Sequence, residues 1–127
     1  MEKEAAKELI EKYIKAWKEK DLDLFLSVLH NLVEVRECTG AIYQDKETLE
    51  KWFIDWNQGT NKVIYWEIKS FGFDKKKSAA FVEWKFKCSY ENKEYEFEGS
   101  SAVYFKDGLI LKVNEYEMKL EKFYPYS

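Results

Sequence analysis

The sequence is poor in arginine, histidine and cysteine, and each scarcity argues against a class of function. Its 21 lysine and arginine residues against 24 aspartates and glutamates give a net charge of −3. Arg36 is the only arginine, whereas bidentate recognition of phosphates and base edges favours guanidinium groups. Beyond Lys75-Lys76-Lys77, which we interpret as a solvated turn, there is no basic stripe. We therefore expect no nucleic-acid partner.

The sequence also contains few residues that could bind a metal ion. His30 is the only histidine, and the two cysteines, Cys38 and Cys88, lack the ligand spacing of zinc sites. We expect no metal and no cofactor. Both cysteines fall in expected strands, so buried free thiols are favoured over a disulfide, which no local feature supports. His30 is expected at a helix C-terminus, where the helix dipole favours it; a place in a pocket is the alternative.

Long apolar runs are missing too. No segment approaches the roughly 18 apolar residues that cross a bilayer, and the charged start Met1-Glu2-Lys3-Glu4 is unlike a signal peptide. We expect a cytoplasmic protein without membrane contact. With 46% hydrophobic and 35% charged residues among 127, and no linker or repeat, residues 1–127 are expected to form one domain with a sizeable core.

What the sequence does contain is regular amphipathic periodicity. Apolar residues at helical spacing predict three helices, and alternating residues predict five strands, with Ile64 and Trp66 on one face of the second strand. Asp21 and Asp45 are the expected N-caps of the second and third helices, and Thr39-Gly40 is expected to turn the chain. The predicted bounds are 4–19, 22 to about 30 and 46 to about 57 for the helices, and 33–37, 63–73, 78–90, 95–105 and 109 to about 120 for the strands.

The last three strands predict a meander, around which the chain is organised. Glu91-Asn92-Lys93 and Asp107-Gly108 supply its turns, and Tyr95 begins the inward face of the middle strand. The alternation changes phase in the last strand, and a β-bulge near Asn114 would reconcile the two halves. Together these elements predict an α+β fold with a curved, mostly antiparallel sheet and three helices on its concave face.

Four stretches carry a resemblance: Tyr13-Ile14-Lys15-Ala16-Trp17, Asp21-Leu22-Asp23, Val35-Arg36-Glu37-Cys38, and Phe105 to Ile110 followed by Glu115-Tyr116. Their order and spacing resemble the nuclear-transport-factor-2-like superfamily, and within it the SnoaL-like and ketosteroid-isomerase-like branch. The resemblance implies a cone-shaped sheet wrapped around a long N-terminal helix, with a hydrophobic pocket inside. Members include isomerases, cyclases, dehydratases and hydrolases as well as non-catalytic modules, so the fold alone does not choose an activity.

The resemblance also implies catalytic roles for three residues. Tyr13 matches the tyrosine of ketosteroid isomerase that donates a hydrogen bond to the developing oxyanion, and Glu37 matches the aspartate that moves the proton. Ser101 falls, through the hairpin alignment, where that enzyme has a protonated aspartate. Glutamate reaches further than aspartate, and a hydroxyl donates more weakly than a buried acid. These departures argue against steroid isomerisation itself.

The residue pattern is compatible with these roles and with simpler ones. Glu37 shares parity with Val33 and Val35, so it faces inward if the valines do, and desolvation then raises its pKa as suits a base. The alternative is an ion pair with a lysine. Tyr13 lies on the core stripe of its helix, where it either packs or lines a pocket. Ser101 interrupts an apolar face, which indicates either a site or a small residue that makes room.

Aromatic residues are the most prominent feature of the expected interior. They either wall a cavity for a small apolar or aromatic ligand or fill the cone themselves. The first case allows cofactor-free proton transfer of the isomerase, cyclase or dehydratase type; the second describes a non-catalytic binding or dimerisation module. Glu115 faces inward unless the suspected bulge flips it. The expected lining residues are Trp17, Tyr43, Trp52, Trp56, Trp66, Trp84, Phe86, Val103 and Glu115.

The outer face of the sheet carries a second prediction. Phe81, Tyr104 and Tyr116 add apolar surface among charged residues there, and exposed apolar patches often mark interfaces. We expect a homodimer through this face, and the family resemblance points the same way.

Overall fold

The computed structural model describes all 127 residues and contains three helices and one six-stranded sheet. The strands lie in the order β2-β1-β6-β5-β4-β3, and every neighbouring pair is antiparallel except β1 and β6. The predicted α+β fold with a curved, mostly antiparallel sheet is therefore confirmed. The elements are α1 Lys3–Glu19, α2 Leu22–Ser27, β1 Leu29–Arg36, β2 Ile42–Gln44, α3 Lys46–Trp56, β3 Lys62–Asp74, β4 Ala79–Tyr90, β5 Lys93–Lys106 and β6 Leu109–Met118.

Helix α1 occupies the inside of the cone and packs against β3. Its buried residues recur every three or four positions, as one helical face requires. The helix ends at Lys20, which adopts a left-handed conformation and donates its backbone N–H to Ala16. None of the three helices is both long enough and apolar enough to cross a bilayer. The buried face of α1 consists of Ala6, Ile10, Tyr13, Ile14, Ala16 and Trp17.

The two predicted N-caps are confirmed. The Asp21 carboxylate accepts a hydrogen bond from the Leu24 N–H at 3.0 Å, and Asp45 accepts one from Thr48 at 2.8 Å. Each cap satisfies one of the donors that a helix leaves free at its start. These caps fix where α2 and α3 begin.

The predicted end of the second helix is wrong. Helix α2 stops at Ser27, and Leu29 begins strand β1 by pairing with Ile110 of β6. The apolar residues Val28 and Leu29 are compatible with a helix or a strand. Pairing of Leu29 with β6 favours the strand. His30 consequently lies in β1, not at a helix C-terminus, and contacts Asp107 with its Nε2 at 3.3 Å. It does not line the cavity described below.

Strand β2 was not predicted, because three residues are too few to show alternation. It pairs with the end of β1 across the turn at Thr39-Gly40, and this turn was predicted. The Glu37 N–H donates to the Ala41 carbonyl at 2.9 Å, which closes the loop. The resulting β1–β2 hairpin places Glu37 one residue beyond the end of β1, where the sequence had predicted the last residue of a strand.

The meander forms as predicted. Glu91 and Asn92 have φ of 51° and 64°, and Asp107 and Gly108 have φ of 54° and 74°, as two-residue hairpin turns require. In β3, an irregularity between Val63 and Tyr65 leaves Ile64 40% exposed. The expectation that Ile64 and Trp66 lie on one face of this strand is therefore wrong, because Val63 and Trp66 line the cavity and Ile64 does not.

The predicted β-bulge is present, but at Leu111 instead of Asn114. Tyr104 pairs with Lys112 and Phe105 pairs with Ile110, which leaves Leu111 as the extra residue of β6. Ile110 before the bulge and Val113 after it are both buried. Because parity changes at Leu111, Glu115 follows Val113 onto the concave side.

On the convex face, Phe81 and Tyr116 are 46% and 59% exposed, and Tyr104 is partly exposed. Ala102 lies beside Phe81 and Ser100 beside Tyr116 in the register, so small residues separate these rings. The homodimer through this face stays a prediction.

Candidate functional site

The helices and the concave side of the sheet enclose a cavity of about 490 Å³ that opens on one side. This volume lies within the range of small-molecule sites. Eleven of its 18 lining residues are aromatic, and they include all five tryptophans of the chain. The aromatic residues therefore form the walls of the cavity and do not fill it. This excludes a cone that is closed by its own aromatics, although a non-catalytic module with an open cavity remains an alternative.

The structure brings most of the predicted site residues to this cavity. Ser101 and Val103 lie instead on an adjoining hollow of about 20 Å³, which we call the inner hollow. Tyr13, Trp66, Trp84 and Glu115 border both spaces. The predicted residues on the main cavity are Tyr13, Trp17, Glu37, Tyr43, Trp52, Trp56, Trp66, Trp84, Phe86 and Glu115. Their chemical roles stay predictions.

Glu115 is the most strongly perturbed carboxyl group. Strand β6 places it opposite Ser101 of β5 and turns it toward the cavity. Burial, and secondarily the negative charge of Glu37, raises the pKa of Glu115 to about 8. No cation or hydrogen-bond donor offsets these two effects. Glu115 is therefore mostly protonated at neutral pH and can donate a hydrogen bond or a proton.

Glu37 occupies a more polar setting in the same cavity. Its Oε1 accepts a hydrogen bond from the Tyr43 hydroxyl at 3.0 Å, so its partner is a tyrosine and not the lysine of the alternative interpretation. Burial raises the pKa of Glu37, and the hydrogen bond from Tyr43 acts in the opposite direction by favouring the charged form. Val33 and Val35 are fully buried, so the inward parity expected for Glu37 agrees with its position.

Tyr13 projects from α1 and is 5% exposed. Its ring packs edge-on against Trp66, with centroids 6.1 Å apart. Burial, followed by the negative charge of Glu115, raises the pKa of Tyr13 well above its ordinary value, and the nearby Trp17 indole offsets only part of this rise. The phenol therefore keeps its proton at neutral pH and is able to donate a hydrogen bond, which the role implied by the resemblance requires.

The Ser101 side chain is hydrogen-bonded within the protein. The Trp84 indole N–H donates to its Oγ at 2.9 Å, which leaves the serine hydroxyl proton free to be donated. Opposite Trp84 in the register lies Gly99, where an added Cβ would come within 2.6 Å of the indole ring. Gly99 thus makes room for Trp84, and Ser101 orients it.

Several lining residues were not predicted: Cys38, Thr39, Asp55, Val63, Cys88, Tyr90, Tyr95 and Phe97. Tyr90 shares the parity of Phe86 on β4 and stacks on Trp56 at 5.6 Å, so strand parity could have found it. Asp55 offered no such signal. Tyr95, which parity had placed on the inward face of β5, lines the cavity at its opening and is 42% exposed.

Both cysteines are free and border the cavity. Cys88 is buried in β4, whereas Cys38 lies in the loop after β1 and not in a strand as expected. Burial raises the pKa of each thiol to about 11, so both stay protonated and unreactive at neutral pH.

A sequence model of the SnoaL-like domain matches residues 10–113, which is most of the chain. The chain belongs to the SnoaL-like domain family. No curated protein matches its sequence.

Solved structures show the same cone fold as this SnoaL-like domain. An LEH-like epoxide hydrolase from M. tuberculosis has a TM-score of 0.82 at 16% identity, with 93% of this chain and 86% of that chain covered. An NTF-2 like protein of unknown function from Burkholderia xenovorans has a TM-score of 0.74 at 14% identity, covering 97% and 90%. A hypothetical protein with a ketosteroid isomerase-like fold from Catenulispora acidiphila, in complex with trimethylamine, has a TM-score of 0.75 at 11% identity, covering 89% and 86%. At these identities the likeness shows the fold alone.

Two polar atoms in the wall of the SnoaL-like cavity have no partner. The indole N–H groups of Trp17 and Trp66 are buried and make no hydrogen bond, although buried donors are normally paired. Trp17 approaches the Tyr13 phenol without reaching hydrogen-bond geometry. No group of three or more His, Cys, Asp and Glu side chains is arranged to hold a metal ion. The cavity therefore offers donors and carboxyl groups to an organic molecule.

Proposed function

We propose that the cavity binds a small, largely apolar organic molecule and catalyses proton transfer on it without a cofactor. The observation that carries this proposal is the desolvated Glu115 carboxyl beside Tyr13 in a cavity of ligand size. Strongly perturbed carboxyl groups in clefts are typical of catalytic sites. The open cavity favours this function over the non-catalytic module.

The roles follow from the environments of the three groups. Glu37, whose charged form is favoured by Tyr43, is the base that removes a proton next to a carbonyl group. Tyr13 donates a hydrogen bond to the oxygen on which negative charge develops. Glu115 is protonated at neutral pH and returns a proton or stabilises the same oxygen. Two carboxyl groups whose surroundings separate their pKa values commonly divide the acid and base roles in this way.

The ligands and activities of the similarly folded proteins do not define the substrate. The trimethylamine of the Catenulispora protein and the epoxide of the M. tuberculosis enzyme belong to those proteins, which share 11% and 16% identity with this chain. The range of possible reactions is limited instead by the cavity itself, which provides acid, base and oxyanion donor but no group arranged to hold a metal.

Deuterium exchange tests the proposal directly. The α-protons of two bicyclic ketones, 2-tetralone and tropinone, are followed by NMR in D2O, because tropinone adds a protonated amine at similar size. We expect exchange with at least one ketone, reduced by about 100-fold or more in Glu37→Gln and by roughly 10- to 100-fold in Tyr13→Phe. Glu83→Gln, at an exposed carboxylate of β4, is the control and should exchange like the wild type.

The outcome separates the two functions. Exchange by the wild type that survives Glu37→Gln would remove Glu37 as the base. If neither ketone exchanges above the buffer rate but either one shifts the tryptophan resonances, the binding half of the proposal stands and the non-catalytic module replaces the enzyme.

A further inference from the structure

The charge of the cavity lining is one-sided. Although the chain has 21 lysine and arginine residues, none lies among the 18 that line the cavity. Every titratable group there is neutral or negative in each of its protonation states, so the lining is never positive at any pH. These groups are Tyr13 from α1, Glu37 and Cys38 after β1, Tyr43 from β2, Asp55 from α3, Cys88 and Tyr90 from β4, Tyr95 from β5 and Glu115 from β6.

The walls add a second feature that favours positive charge. Ring faces carry negative electrostatic potential and attract ammonium groups, tryptophan most strongly. Tyr43 and Trp52 stack with centroids 4.4 Å apart and planes 11° apart, so each ring covers one face of the other and leaves only its outer face for a ligand. At the opening, the Lys93 ammonium lies 5.5 Å from the centroid of Tyr95. One ring of the lining thus already has a cation over its face.

Two further observations indicate a bound molecule. Glu115 lines the cavity with no cation or hydrogen-bond donor beside it, so its charged form has no partner within the protein, whereas charged groups away from water are normally paired. Trp17 is 4% exposed, lines the cavity and carries an indole N–H without an acceptor. A ligand with a positive nitrogen compensates the first group, and an acceptor atom elsewhere on it satisfies the second.

We propose that the molecule bound in this cavity is a small organic cation, a quaternary or protonated amine with apolar substituents, held by the tryptophan faces and by Glu115 and Glu37. This inference rests on the proposed function for the existence of a binding site and adds the charge of the ligand. A neutral ligand of the same shape gains the apolar contacts but gives no counter-charge to Glu37, or to Glu115 once that group ionises.

A matched pair of probes tests the charge alone. Phenyltrimethylammonium and tert-butylbenzene have nearly the same shape and differ by one positive charge. Binding is followed through the five indole ¹⁵N–¹H resonances, since all five tryptophans line the cavity. At pH 8 we expect the cation to bind about tenfold or more tightly than the neutral probe. The preference should increase from pH 6 to pH 9 as Glu115 ionises; Cys38, Cys88 and Tyr43, with pKa values of about 11, 11 and 12, stay neutral.

A variant locates the effect. Glu115→Gln should lose about fivefold or more of the preference for the cation and most of its pH dependence, while its affinity for tert-butylbenzene is retained. The exposed-site control Glu83→Gln should keep both. Retained neutral binding shows that the variant is folded.

The possible results distinguish a cationic ligand from the binding site that it requires. If tert-butylbenzene binds as tightly as the cation, or more tightly, the cationic ligand is overturned and a site for neutral molecules remains. If neither probe shifts an indole resonance, the binding site itself is overturned together with the proposed function. A cation preference that Glu115→Gln leaves unchanged would overturn the assignment to this carboxyl group.

Discussion

Glu115 and Glu37 are the same residue type in the same cavity, yet their surroundings differ. Glu115 extends from the regular part of β6, where the neighbouring strands leave it no hydrogen-bond donor. Glu37 lies in the loop of the β1–β2 hairpin, where Tyr43 reaches it. The sheet thus produces the isolated carboxyl group and the loop produces the hydrogen-bonded one. The difference between the two carboxyl groups therefore comes from backbone position and not from residue type.

The largest expected effect comes from removing the isolated carboxyl group. In the folded state the pKa of Glu115 is about 8 instead of 4.5, so the folded protein holds this proton more tightly than the unfolded chain does. Stability from this group is full below about pH 4.5 and is lost as the pH rises to about 8. Glu115→Gln should match the wild type at about pH 4 and exceed it at about pH 9 by up to about 4 kcal/mol.

Denaturant unfolding followed by circular dichroism at both pH values measures this difference. Glu83→Gln is the control, and its stability should follow the wild type at each pH. A wild type that is as stable at pH 9 as the Glu115→Gln variant would contradict the isolation of this carboxyl group.

A smaller effect, in this case a loss of stability, is expected at Gly99, which lies against the Trp84 ring. A Cβ at Gly99 would lie 2.3 Å from the Tyr116 carbonyl oxygen and 2.6 Å from the Trp84 ring. Because a backbone atom cannot move aside cheaply, Gly99→Ala should cost about 1–3 kcal/mol and displace the Trp84 indole resonance. Gly72→Ala is the matched control, since nothing lies within 4 Å of its added Cβ. Equal unfolding free energies for the two variants would show that the inner wall is not rigid.

The smallest effect on stability should come from removing the hydrogen bond between Tyr43 and Glu37. Tyr43→Phe removes the hydrogen bond to Glu37, so the pKa of Glu37 should rise further while that of Glu115 hardly changes. The stability cost should be about 1 kcal/mol. Carboxyl titration by ¹³C NMR measures both groups, and Tyr95→Phe, at the opening but not bonded to Glu37, is the control. If the pKa of Glu37 is the same in Tyr43→Phe as in the wild type, the hydrogen bond does not stabilise the carboxylate.

Local patterns predicted those features that local chemistry decides. Asp21 and Asp45 cap helices because their side chains reach donors three residues away, and Asp107-Gly108 turns because both residues tolerate positive φ. The end of α2 was wrong because Leu29 suits a helix or a strand until Ile110 of β6 pairs with it. Contacts between residues so far apart in the chain leave no trace in a local pattern.

The candidate site shows the same limit. Parity predicted which side of a strand each aromatic faces, so Trp66, Trp84 and Phe86 were expected at the cavity. Parity says nothing about the distance between opposite walls, and therefore could not decide whether the cone was open or filled. The isolation of Glu115 also depends on which side chains are absent around it, and only the assembled walls reveal that.

The extra residue at Leu111 makes the closing hairpin tolerant of a change in chain length. Since Leu111 has no partner in β5, deleting it would join two correctly paired segments and leave Val113 and Glu115 on the side they already face. A deletion between Val113 and Glu115 would instead exchange the two faces of the strand end and bring Tyr116 toward the cavity. One position in β6 can therefore lose a residue without altering the chemistry of the interior, whereas a loss slightly later in the strand would replace an acid with a phenol.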